Sequence, residues 1–232
     1  MPMTHSDSLP GNRPAEPGEL QHIQLGGATA LEAILGIPAA AKGVVIFAHG
    51  SGSGRLSPRN NYVAAKLRGA GLATLLLDLL TPEEERDRRN VFDMSLLAAR
   101  LRSAREWAAS DPSTSALRPC YFGASTGAGA ALLAAAGDES VAAIVSRGGR
   151  PDLAGGRALA EVTAPTLLIV GGLDRVVIDL NQAACDAMRC ERRLVIVPGA
   201  THLFEEPGTL DRVVEHARDW FLAHLAESRQ RA

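Results

Sequence analysis

A serine stands between two glycines placed two residues away on either side, in Gly123-Ala124-Ser125-Thr126-Gly127. The segment follows an apolar run and opens a stretch of alanines and glycines, so it reads as strand, turn and helix. In that context G-x-S-x-G is the pattern of a nucleophile elbow. A residue on so sharp a turn takes a strained backbone, and its neighbours must lack bulk. The small residues beyond let the helix lie close to the sheet, and the helix N-terminus favours negative charge developing at Ser125. A serine hydroxyl is a poor nucleophile without a base. Of the six histidines, His5 lies in a Pro-rich N-terminal stretch, His22 opens an early strand, and His216 and His224 belong to the last helix. His49 closes a strand and reads as a structural partner of the turn after it. His202, on the loop between the last strand and the last helix, is the candidate base. Asp174, after Gly171-Gly172-Leu173, is the candidate acid. Asp78 and Asp152 stand at other strand ends as rivals, and an Asp after glycines is also a common helix cap or turn residue.

Acyl chemistry at a serine needs two backbone N–H groups aimed at the developing oxyanion. Thr126, immediately after the nucleophile, offers one. The second is expected from His49-Gly50-Ser51-Gly52-Ser53-Gly54-Arg55, with Ser51 the first choice and Gly52 the alternative. The same run looks like a dinucleotide loop, but its third glycine falls one position early, Arg55 takes the expected place, and no G-K-[S/T] follows. Arg147, just past Val145-Ser146, and Arg55 are candidate ligands for a substrate carboxylate at the mouth of the site. The competing reading makes them solvated arginines, or partners of Glu83, Glu84 or Glu85.

These residues need a scaffold that gathers strand ends. Short apolar runs at 44–48, 72–77, 120–122, 141–145, 165–170 and 194–197 are continuous rather than alternating, as in strands buried on both faces of a parallel sheet. Segments 20–25 and 30–37 could form an antiparallel opening pair around Gly26-Gly27. Residues 92–109 carry Leu96, Leu97, Leu101, Ala104 and Ala108 on one stripe. Leu210, Val213, Val214, Ala217, Phe221 and Leu225 form another stripe in the last helix. Strand–helix alternation of this kind predicts a doubly wound α/β sheet, whose ligands bind beyond the carboxyl ends of the strands.

The chain has 232 residues, 46% of them hydrophobic, which suits a single domain over 19–232 with a substantial core. Residues 1–18 read as a disordered lead-in, with no apolar signal segment. A formal charge of -2 lacks the basic excess of a nucleic-acid surface, and no window approaches a membrane span. Cys120, Cys185 and Cys190 have no metal-ligand spacing and read as reduced thiols of a cytoplasmic protein, with Cys120 buried in a strand.

Taken together, the His49-Gly50 turn, the elbow at Ser125, Gly-Gly-Leu-Asp ending at Asp174 and Gly-Ala-Thr-His-Leu-Phe around His202 make the chain resemble the α/β-hydrolase superfamily, in its dienelactone hydrolase-like branch. The resemblance spans about residues 20–225. It implies an eight-stranded, mostly parallel sheet with helices on both faces, a Ser-His-Asp triad and no cofactor or metal. The Ser…Asp…His chain order of that fold favours Asp174 over its rivals. Dienelactone hydrolases proper use a cysteine nucleophile, whereas this elbow carries Ser125, so the family name does not give the substrate. Only 147–164 separates two strands where many relatives insert a helical lid, which implies an open site for a small ester or lactone. Hydrolysis through an acyl-enzyme is the expected activity. Acyl transfer by the same triad and a non-catalytic ligand-binding relative are the alternatives, and the sequence does not specify an oligomeric state.

Overall fold

The computed structural model describes residues 20–25 and 30–230. The expected lead-in and the Gly26-Gly27 turn lie outside them. Eight strands form one sheet: β1 (Leu20–Leu25), β2 (Leu31–Gly36), β3 (Val44–Ala48), β4 (Ala73–Leu77), β5 (Pro119–Ala124), β6 (Ile144–Arg147), β7 (Thr166–Gly171) and β8 (Arg192–Val197). Their order is β1-β2-β4-β3-β5-β6-β7-β8. β2 is antiparallel to both β1 and β4, and every other pairing is parallel. The helices are α1 (Pro58–Gly69), α2 (Pro82–Glu85), α3 (Arg88–Val91), α4 (Met94–Ser110), α5 (Thr126–Ala135), α6 (Gly156–Glu161), α7 (Arg175–Ala187) and α8 (Thr209–Gln230).

Strand alternation divides the core into two layers. Ile46, Leu75, Leu77, Tyr121 and Ile144 point to the face covered by α4 and α5. Val45, Phe47, Leu76, Phe122, Val145 and Ile169 point to the other, where Val63, Ala64 and Leu67 of α1 and Val213, Ala217 and Phe221 of α8 meet them. Burying a side chain of this size stabilises by roughly 1.5–3 kcal/mol. β3, β4 and β7 are buried at every position, which is why their sequences run apolar without alternation.

Two local features depart from what the sequence predicts. The apolar run places the sixth strand at 141–145, but the ladder runs over Ile144–Arg147, pairing with Tyr121–Ala124 on one side and Thr166–Ile169 on the other. Arg147 is therefore the last residue of a buried strand rather than a rim residue just beyond it. Between β4 and α4, the single turns α2 and α3 occupy a charged segment that offers no apolar stripe. α2 exists because Thr81 and Glu84 cap each other reciprocally. The connection from β6 to β7 holds only a 3-10 turn (Pro151–Ala154) and α6, with no lid. Cys120, Cys185 and Cys190 are free and buried. No helix among the described residues is long and apolar enough to cross a membrane.

Candidate active site

Ser125 is the hinge between β5 and α5, with φ 49° and ψ -122°. Holding a non-glycine residue there costs about 1–3 kcal/mol and requires surrounding bonds that over-determine it. Those bonds are present: Ser125 N–H donates to the Arg147 carbonyl at 3.2 Å, and its carbonyl accepts from Arg150 N–H at 3.0 Å and Ala128 N–H at 3.1 Å. The flanking glycines are sterically required. A Cβ on Gly123 would fall 2.4 Å from Ala128 Cα, and one on Gly127 would fall 2.3 Å from the Ala48 carbonyl oxygen.

His202 faces this serine from the loop after β8, with Nε2 3.3 Å from Ser125 Oγ. Its Nδ1 lies 2.6 Å from Asp174 Oδ2. An Nδ1–H donated to the carboxylate leaves Nε2 free to accept the serine proton. Asp174 begins α7, yet its side chain makes no capping bond with that helix. It points to His202 instead, so the helix-cap alternative does not describe it. The two loops are laced by main-chain bonds, Gly172 N–H to Val197 O at 2.9 Å and Leu173 N–H to Ala200 O at 3.0 Å. The rival carboxylates are engaged elsewhere: Asp152 with Arg150 at 2.8 Å, and Asp78 with Arg55.

The loop after β3 passes close to Ser125, where a Cβ on Gly50 would lie 3.1 Å from Ser125 Cβ. His49 anchors that loop: Leu79 N–H donates to its Nε2 at 3.0 Å, and its Nδ1 donates to the Gly50 carbonyl at 2.9 Å. Burial holds the pKa of His49 below its usual value. As the first residue of α5, Thr126 leaves its N–H in the open first turn of the helix. Ser51 lies beside it, but its N–H already donates to Thr126 Oγ1 at 2.9 Å. The expected donor thus lies next to the first residue of α5 and is already engaged. Gly52, the alternative, has φ 69° and open space around it.

The two arginines have separate fates. Rather than pairing with Glu83, Glu84 or Glu85, Arg55 has its guanidinium held by Asp78 and Glu32. Those carboxylates come from β2 and the end of β4, neighbours that sequence distance conceals. Arg147 accepts the Ser125 N–H at its carbonyl, and its buried Nε and Nη1 have no partner among the described residues. Burial, and the charge of Arg59 behind it, lower its pKa to about 10, so it stays a cation at neutral pH. Leu173 and Val176, which flank Asp174 in the chain, and Leu203, next to His202, have exposed apolar side chains. No cluster that could hold a metal ion occurs among the described residues.

Sequence reasoning misses the Thr126–Ser51 bond and the main-chain clamp of Ser125 by Arg147 and Arg150. Neither has a local signal, since the first joins residues 75 apart in the chain.

The sequence model of the dienelactone hydrolase family matches residues 31–225. A dienelactone hydrolase structure from Anabaena variabilis is 54% identical, with a TM-score of 0.86, over 88% of this chain and 97% of that one. Est1E from Butyrivibrio proteoclasticus shares the fold at a TM-score of 0.76 and 16% identity, over 88% of this chain and 99% of that one. A Mycobacterium tuberculosis protein carrying a provisional phosphoribosyl transferase name is 62% identical over 192 residues, 82% of this chain and 43% of the relative. The chain thus spans less than half the length of that relative. Family match, fold and identity agree: the chain belongs to the dienelactone hydrolase family.

Proposed function

We propose that the protein is a serine hydrolase that cleaves an ester, lactone or related acyl bond of a small substrate through an acyl-enzyme on Ser125. The observation that carries this reading is the continuous hydrogen-bonded line from Asp174 through His202 to Ser125 Oγ. In this mechanism His202 Nε2 takes the Ser125 proton as Oγ attacks the acyl carbon. Asp174 holds the tautomer and stabilises the imidazolium that forms. Thr126 N–H and a second amide from the 50–52 loop receive the oxyanion, aided by the N-terminus of α5. The tetrahedral adduct expels the alkoxide, which takes the proton from Nε2. A water then gives its proton to His202, attacks the acyl-enzyme and releases the acid with Ser125 restored. The exposed apolar side chains of Leu173, Val176 and Leu203 suit the carbon skeleton of such a substrate.

The deciding experiment is labelling with a fluorophosphonate, paired with hydrolysis of an aryl ester. Labelling and turnover are expected in the wild type. Ser125→Ala is expected to lose labelling and about four to six decades of turnover. Turnover above a tenth of wild type in that variant overturns the assignment. Asp174→Asn is expected to lose up to about four decades in kcat by favouring the wrong tautomer. If product forms only when an alcohol or amine is added, the enzyme is an acyltransferase. Phosphoribosyl transfer is favoured only by the name of a relative more than twice as long as the matched segment. Release of diphosphate from phosphoribosyl diphosphate by this chain would establish it.

A further inference from the structure

The buried face of α7 is made by Val177, Asn181, Ala184 and Cys185, so a primary amide stands in a row of otherwise apolar groups. Asn181 is fully buried. Its Nδ2 donates to the Val177 carbonyl at 2.7 Å and to the Gly149 carbonyl at 2.9 Å. Both partners only accept, so the amide must face them with its nitrogen. The first bond is a local one, of the kind an asparagine within a helix makes with the preceding turn. The second joins residues 32 apart in the chain. Asn181 Oδ1 is sealed from solvent with no partner among the described residues. An orphaned buried oxygen costs about 1–3 kcal/mol, and asparagine is a poorer helix former than leucine. Stability alone would place an aliphatic side chain here, so the bond to Gly149 is what the amide secures.

That bond ends on the turn where the triad elements meet. Gly148 N–H donates to the Ile169 carbonyl of β7 at 2.7 Å, and Arg150 N–H donates to the Ser125 carbonyl at 3.0 Å. Gly148 backs the base: at φ 50°, a Cβ there would lie 3.0 Å from the His202 carbonyl oxygen and 3.6 Å from His202 Nδ1. Gly149 is wedged beside it, where a Cβ would collide with Ser146 Oγ of β6 and Ala128 Cβ of α5. The turn is thus bonded to the serine and lies against the histidine. Asp174 immediately precedes α7, and Asn181 is the residue through which that helix grips the turn. Nearly two helical turns separate Asp174 from Asn181, which puts them on one side of the helix, roughly 10 Å apart along its axis. A shift of α7 at Asn181 is therefore carried along the rigid helix to the carboxylate.

We propose that Asn181 is a positioning residue for the triad: its amide holds α7 to the 148–150 turn and so sets Asp174 at hydrogen-bonding distance from His202. The inference deepens the serine-hydrolase reading above and rests on it for its kinetic effect. The test uses Asn181→Leu, which keeps the volume while removing both the donor and the orphaned oxygen. Gly149 O loses its partner as Oδ1 disappears, so the two changes offset one another and the melting temperature is expected to stay within a few degrees of wild type. Its kcat for an aryl ester is expected to fall by about ten- to a hundredfold, with a smaller change in KM, because small misplacements of reacting groups are costly. Asn181→Gln, which keeps a donor on a longer stem, is expected to recover part of the loss. Ala184→Gly, on the same buried face, is the control. It weakens the helix by about 1 kcal/mol, and is expected to lower the melting temperature while kcat stays unchanged. Wild-type kcat in Asn181→Leu, or an equal loss of kcat in Ala184→Gly, overturns the proposal.

A second readout needs no substrate. The proton held between His202 Nδ1 and Asp174 is expected to give a strongly deshielded resonance in the proton NMR spectrum, identified by its loss in Asp174→Ala. Wild type and Ala184→Gly are expected to show it, and in Asn181→Leu it is expected to broaden or vanish. Its absence from wild type, or an equally sharp resonance in Asn181→Leu, overturns the proposal. If no ester is turned over, the hydrolase reading fails while this spectrum still decides the role of Asn181. If Asn181→Leu does not fold, Asn181→Ala replaces it in both measurements, and unchanged kcat or an unchanged resonance overturns the proposal in the same way.

Discussion

The hydroxyl of Thr126 and the ring of His49 hold the loop that passes close to Ser125, and they do so by different physics. Thr126 Oγ1 accepts the Ser51 N–H at the first turn of α5, fixing the loop to the helix that follows Ser125. Thr126→Val keeps the shape but removes the acceptor. Its kcat for an aryl ester is expected to fall by up to about a hundredfold, with a smaller change in KM, since small misplacements of a donor are costly. Thr126→Ser is expected to restore most of that loss. A rise in kcat for Thr126→Val would instead mean that the bond withholds the Ser51 donor from the substrate. His49 contributes through its neutral ring, which accepts from Leu79 N–H and donates to the Gly50 carbonyl. Burial lowers its folded pKa below the ordinary value of 6.5, so the unfolded chain binds this proton more readily. Stability from His49 is therefore fully present above about pH 6.5 and is lost as pH falls below it. Urea midpoints measured from pH 8 to pH 5 are expected to drop on the acid side in wild type. His49→Gln, which cannot titrate, is expected to start lower and drop less. Parallel curves for the two proteins would remove His49 from the pH response.

α5 owes its place to residues that are absent as much as to those present. Gly127 meets the carbonyl oxygens of Ala48 and His49 at distances that leave no room for a methyl group. Gly127→Ala would push α5 off the end of β3 and move Ser125 with it. Overpacking against backbone that cannot turn aside costs about 1–3 kcal/mol. At about 2–4 °C per kcal/mol in a chain of this length, the melting temperature is expected to fall by several degrees. Ester turnover is expected to fall with it, and an unchanged melting curve would show that α5 is not wedged there. This close packing explains why the elbow is legible in the sequence: strand, small-residue turn and alanine-rich helix are contiguous, so the signature is local. His202 and Asp174 are legible for a similar reason, each following a strand and a glycine. The end of β6 is not, because Ser146 and Arg147 break the apolar run at Val145, yet the ladder continues to Arg147 beside Ala124 and Ile169. The pairing of Arg55 with Glu32 and Asp78 joins β2, the end of β4 and the loop after β3, and no local pattern announces it. The single turns α2 and α3 stabilise themselves by caps rather than by an apolar face, so periodicity passes over them.

At the scale of the molecule, sheet pairing among the described residues starts at Leu20 and the family match at residue 31. Deleting residues 1–18 is therefore expected to leave the melting temperature and ester turnover unchanged, and a clear loss of either would show that the segment serves the folded domain. Ser125, Asp174 and His202 hang from β5, β7 and β8, and main-chain bonds tie those strand ends to one another: Ser125 to Arg147, Gly148 to Ile169, and Gly172 to Val197. A cleft of about 450 Å³ lies elsewhere, between the loop after β3 and the segment around α2, lined by Gly52, Leu56, Pro82 and Glu85. None of the three lacing bonds runs through that cleft. Substitutions at Leu56, Pro82 and Glu85 can therefore accumulate while Ser125, Asp174 and His202 keep their distances. In evolutionary terms those positions can drift from one relative to the next while the spacing of Ser125, Asp174 and His202 is inherited unchanged.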